Sequence, residues 1–63
     1  MRYRIKEERK LKKMSQEQLS VKSGVSRTII SGLESGRITV TSTGTLVKIA
    51  AALDKKVSDI FLN

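Results

Sequence analysis

Residues 15–37 read SQEQLSVKSGVSRTIISGLESGR, and their punctuation marks out two short helices with a tight turn between them. Ser15 followed by Gln18 is an S-x-x-Q capping box, in which the Ser15 hydroxyl accepts the Gln18 amide and the Gln18 side chain reaches back. The pattern predicts a helix from there through Lys22. Ser23 and Gly24 close it, because a glycine takes the left-handed conformation that ends a helix without a Cβ penalty. Val25 then leads to Ser26, a second N-cap. The spacing predicts a second helix over 26–35, ended by Gly36 in the same way.

On a helical wheel with Arg27 at zero, Ser31 falls at about 40°, Ser35 at about 80°, Thr28 at about 100° and Gly32 at about 140°. Ile29, Leu33 and Ile30 fill roughly 200° to 300° on the other side. Surface helices usually carry long Glu and Lys side chains outward. This one carries small, hydroxylated residues headed by an arginine, the shape a helix needs to enter a DNA major groove. Taken alone, the same split also suits a plain amphipathic core helix.

Working outward, the upstream segment is strongly basic: Arg2, Arg4, Lys6, Arg9, Lys10, Lys12 and Lys13 stand against Glu7 and Glu8. Ile5, Leu11 and Met14 form no apolar stripe there, which argues against a membrane-surface helix. Downstream, residues 37–41 read as an exposed loop. Ile38, Thr39, Val40 and Thr41 alternate like a strand, but no other stretch of the chain offers a partner. Ser42 caps a fourth helix, Thr43 to Leu53, with Leu46, Ile49, Ala50 and Leu53 at helical spacing. A last short helix is expected from Val57 to Leu62. The chain thus reads as all-α, one domain of five short helices over residues 1–63.

Thirteen Lys and Arg against six Asp and Glu give a net charge of +7 over 63 residues. Such a field attracts polyanions. The chain has no cysteine and no histidine, so neither a metal nor another cofactor is expected. Its hydroxyls have no adjacent base, and Glu7, Glu8, Glu17 and Glu34 show no pairing for acid–base work, so an enzyme is not expected. Tyr3 and Phe61 are the only aromatics, too few for a base-stacking platform. With no signal-peptide pattern and no membrane span, the expected location is the cytoplasm.

Residues 15–37 closely resemble the phage-repressor and Cro type of helix-turn-helix, the XRE family. TLVKIAAAL at 45–53 and Ile60-Phe61 resemble that family's fourth and fifth helices, so the likeness runs from about Ile5 to Phe61. It implies a compact lambda-repressor-like fold with the helix-turn-helix at helices 2 and 3. It also implies a sequence-specific transcriptional regulator, such as a repressor, that binds double-stranded DNA. By position, Arg27, Thr28, Ser31 and Gly32 match base-reading residues; Gln16, Ser35, Arg37, Ser42 and Thr43 match phosphate contacts. Arg9 and Glu34 match a largely buried salt bridge joining the first and third helices. The family likeness implies a homodimer on a palindrome. The adjacent apolar residues Phe61 and Leu62 are the expected isologous contact. The alternative is an antitoxin-like module of the same fold with a small protein partner. Three residues depart from the pattern: Glu8 stands where an aliphatic residue is usual, Ser20 replaces an alanine, and Gly32 replaces a longer side chain. The loop from Gly36 to Leu46 is about a residue longer than the common form, and Gly44 weakens the start of helix 4.

Overall fold

The caps form as the sequence sets them. Ser15 Oγ accepts the Gln18 N–H at 3.0 Å, and Gln18 Oε1 accepts the Ser15 N–H at 2.7 Å. Ser26 Oγ accepts from the Ile29 amide and Ser42 Oγ from the Thr45 amide, at 3.3 and 3.1 Å. Gly24 and Gly36 take φ of 75° and 85° and turn the chain out of its helices. The structure, a computed structural model, describes residues 2–39 and 41–62, with the backbone alone at Arg2 and Leu62. Its elements are β1 (Arg2–Tyr3), α1 (Ile5–Leu11), α2 (Gln16–Ser23), α3 (Arg27–Ser35), α4 (Thr43–Ala52), α5 (Val57–Ile60) and β2 (Phe61–Leu62).

The five helices surround one apolar core. Its fully buried large side chains are Ile5, Leu19, Ile30, Ile49, Leu53 and Ile60, so every helix or its cap supplies at least one. Each such side chain contributes about 1.5–3 kcal/mol by leaving water. α3 is held along one face: Ile30 and Leu33 enter the core, and Ile29 packs at its edge. That arrangement leaves the Arg27 side of the helix free.

The two chain ends depart from expectation. The last helix stops at Ile60 rather than Leu62, and Phe61 turns to extended backbone at φ −107°, ψ 113°. Phe61–Leu62 then pairs antiparallel with Arg2–Tyr3, Tyr3 opposite Phe61, and the Arg4 N–H donates to the Ile60 carbonyl at 2.7 Å. The rings of Tyr3 and Phe61 stack 5.5 Å apart. A strand partner therefore exists, but between the two termini and not in the central loop. Ile38 and Thr39 are irregular, and Val40 lies outside the described residues. Phe61 and Leu62, expected within the last helix, are consecutive strand residues instead. Smaller differences are at helix ends: α2 runs one residue further, to Ser23, and α4 stops at Ala52 with Leu53 as its cap. No helix among the described residues is long and apolar enough to cross a membrane.

Candidate nucleic-acid interface

The turn between α2 and α3 is braced from inside. Ser20 Oγ donates to the Val25 carbonyl at 2.7 Å, and Ser23 Oγ accepts the Val25 N–H at 3.2 Å. Leu19, Ser23 and Val25 are buried beneath it. Ser20 thus does more than replace an alanine of similar size, because its hydroxyl ties α2 to Val25 in the turn. With the turn fixed, the outward face of α3 has a fixed direction. Arg27, Thr28 and Ser35 are exposed on that face, and Ser31 is half-buried.

Gly32 does not share that face. The sequence placed it among the base-reading positions, but it is buried. Ile38, returning from the loop after α3, lies over the place where a side chain would be. A covered backbone offers nothing to a base edge, so of the four residues expected to read bases the outer face of α3 presents Arg27, Thr28 and Ser31.

At the edge of this face, Glu34 gathers three donors. Arg9 grips it as a fork, Nε to Oε2 at 2.8 Å and Nη2 to Oε1 at 2.9 Å, while Arg9 Nη1 donates to the Met14 carbonyl at 2.8 Å. Gln16 Nε2 donates to Glu34 Oε1 at 3.2 Å. The side chains of Arg9 and Glu34 are only 11% and 4% exposed. Burial pushes the Glu34 carboxyl upward. Hydrogen bonds from Arg9 and Gln16, with the charges of Arg9 and Lys6, outweigh that and hold it below the usual carboxylate range. The pair fastens α1 to the end of α3 and, through Gln16, to the first turn of α2. Gln16 Nε2 carries a second N–H, which remains available for another acceptor.

A shallow pocket of about 300 Å³ lies beside this cluster, lined by Lys6, Arg9, Gln16, Ser31, Glu34 and Ser35. It joins the start of α2 to the outer face of α3. Lys6 is the functional candidate that sequence reasoning missed. It is one of seven basic residues before α2, and only packing sets it beside Gln16 and Ser31.

The remaining expected contacts lie beyond α3. Arg37 is exposed, and its N–H donates to Ser35 Oγ at 3.3 Å; Ser35 Oγ in turn donates to the Gly32 carbonyl at 3.3 Å. Ser42 and Thr43 are exposed at the start of α4, where the Ser42 hydroxyl also bonds that of Thr45 at 2.8 Å. Phe61 is half-buried against Tyr3. The Leu62 side chain lies outside the described part of the structure.

The sequence model of one protein family, described as Helix-turn-helix, matches residues 5–60. The chain belongs to this Cro/repressor-type helix-turn-helix family. No curated protein matches it. The match spans all five helices, so the capped pair α2 and α3 stands in its usual setting and is not an isolated motif. This is a DNA-binding helix-turn-helix domain of regulator type. Its net charge of +7 suits the polyanion such a domain meets.

Proposed function

We propose that this helix-turn-helix protein is a sequence-specific transcriptional regulator. It inserts α3 into the major groove of double-stranded DNA and works as a homodimer on a palindromic operator. The observation that carries this reading is the exposure of Arg27 and Thr28 on the first turn of α3, with the small Ser31 and Ser35 further along the same side. No long side chain on that side holds the helix away from a base edge. Arg27 then reads a guanine through O6 and N7, Thr28 meets a thymine methyl, and Ser31 reaches a base edge directly or through water.

The phosphate contacts flank the reading residues. Gln16 opens α2, where unbonded amides and the helix dipole favour an anion. Lys6 adds a cation beside it. Ser35, Arg37 and the first turn of α4 at Ser42 and Thr43 hold the backbone on the other side of the groove. By occupying its operator, such a domain represses. One recognition helix reads only a few base pairs, so a second copy on a half-site about 34 Å away supplies the rest of the specificity.

Selection of bound duplexes from a random DNA pool tests this directly. A preferred sequence with two-fold symmetry is expected. If about five phosphates are neutralised, log affinity falls against log salt with a slope of about −4 to −5. A protein that selects no sequence, or whose binding ignores salt, refutes the regulator reading.

A further inference from the structure

Gly32 sits mid-helix, where glycine is the least favourable residue apart from proline. Its backbone does not require one, since the positive-φ glycines are Gly24 and Gly36. What requires a glycine is Ile38. A Cβ on Gly32 would stand 2.6 Å from Ile38 Cγ1, 3.2 Å from Ile38 Cβ and closer still to Ile38 Cδ1. The same two residues are joined through the backbone, with the Ile38 N–H donating to the Gly32 carbonyl at 2.9 Å. Ser35 Oγ bridges that carbonyl to the Arg37 amide. One residue on, Tyr3 Oη donates to the Thr39 carbonyl at 3.0 Å while its ring stacks on Phe61. The chain leaving α3 is therefore gripped at Arg37, Ile38 and Thr39 in succession.

We propose that Gly32 is a positioning residue for DNA binding. The seat left by its missing Cβ receives Ile38, and so sets where Arg37 and the Ser42–Thr43 helix start stand relative to Arg27, Thr28 and Ser31. Tyr3 clamps the same segment from the terminal ribbon. This rests on the reading of α3 as the helix that enters the groove. Phosphate contacts fix the register and orientation of a protein on a duplex, whereas base contacts specify sequence. A segment pushed off its seat misplaces the first set and leaves the second on its helix.

The test compares Gly32→Ala, Ile38→Ala and the double variant. Its readouts are hydrogen exchange at the Ile38 amide in the free protein, duplex affinity, its salt slope and its base preference. Gly32→Ala is expected to lose protection at Ile38, to bind the selected duplex about fivefold or more weakly, and to show a salt slope shallower by about one. Its base preference stays. In the Ile38→Ala background, adding Gly32→Ala costs much less than in the wild type, because Cγ1 and Cδ1 are gone and only the Cβ of residue 38, at 3.2 Å, remains close. If Gly32→Ala alone does not fold, a double variant that folds and binds like Ile38→Ala supports the proposal, and one that does not fold overturns it. Equal penalties in the two backgrounds, or a Gly32→Ala protein with wild-type affinity and slope, overturn the positioning role while the regulator reading stands. A wild type that binds no duplex overturns both, and is told apart because no variant is needed to see it.

Discussion

Glu34 ties three helices together through its carboxylate. Its carboxylate is nearly out of water and is answered by Arg9 twice and Gln16 once. Glu34→Ala leaves the Arg9 guanidinium buried without its partner, and breaking such a pair costs about 3–5 kcal/mol. That is a large share of the ~5–15 kcal/mol a small domain holds. Thermal melting checks it; a variant melting within a few degrees of wild type refutes the assignment. The same group sets an acid limit. Its folded pKa lies below the ordinary value, so its contribution is complete above the unfolded carboxylate pKa of about 4.3 and disappears as pH falls through the folded one. Wild type is therefore expected to lose stability below about pH 4, and Glu34→Gln, weaker at neutral pH, to lose less there. Parallel losses in the two proteins would trace the acid limit to other carboxylates. On DNA, Arg27→Ala is expected to cost roughly 1–3 kcal/mol and to relax preference at one base position, while Gln16→Ala weakens all sequences alike. Equal, sequence-independent losses in both would make Arg27 a backbone contact.

Among the elements, α1 is the one whose packing an apolar pattern does not describe. Its buried residues are Ile5, Glu8 and Arg9, spaced as a helix face but with two of the three ionic. Arg9 faces Glu34, and Glu8 lies 3.6 Å from Lys55 in the turn after α4, so two adjacent residues tie α1 by charge to α3 and to the segment after α4. The Lys55 side chain is 40% exposed, so it stays hydrated when its partner is removed. Replacing a buried ion with an apolar residue of similar volume is often neutral or stabilising. Glu8→Leu is therefore expected to raise stability by about 1 kcal/mol, the low end of that range. Denaturant titration reads this as a higher midpoint at unchanged slope. A lower midpoint would show that the Glu8–Lys55 contact holds α1 in place.

For the whole molecule, the terminal ribbon changes how a second copy would dock. Arg2–Tyr3 and Phe61–Leu62 meet in a sheet that has two strands among the described residues. In the proposed homodimer, the edge of this sheet beside the half-buried Phe61 would serve as a small isologous contact, completed when DNA holds two copies at a fixed spacing. Leu62→Lys is expected to weaken binding to an operator with two half-sites far more than to a single half-site. Equal losses on the two duplexes, or none on either, would place the dimer contact elsewhere.

The sequence by itself determined the serine and glycine caps and the direction of the polar face of α3. Ser15, Ser26 and Ser42 bond amides three residues ahead, and Gly24 and Gly36 turn the chain on their own, so each signal is complete within one helical turn. The wheel of α3 likewise needs only its own residues to keep Arg27 and Thr28 outside the apolar sector of Ile29, Ile30 and Leu33. The family resemblance, not local pattern, supplied Arg9 with Glu34, whose bond closes over 25 positions. Only the tertiary structure decided that Gly32 is covered, that Glu8 turns inward, that Lys6 stands beside Gln16 and that the termini pair. Tyr3 reaches Thr39 across 36 positions, and Ile38 meets Gly32 only because the loop folds back over the helix. Contacts of this kind depend on where whole elements come to rest, and no cap or period within a segment encodes that.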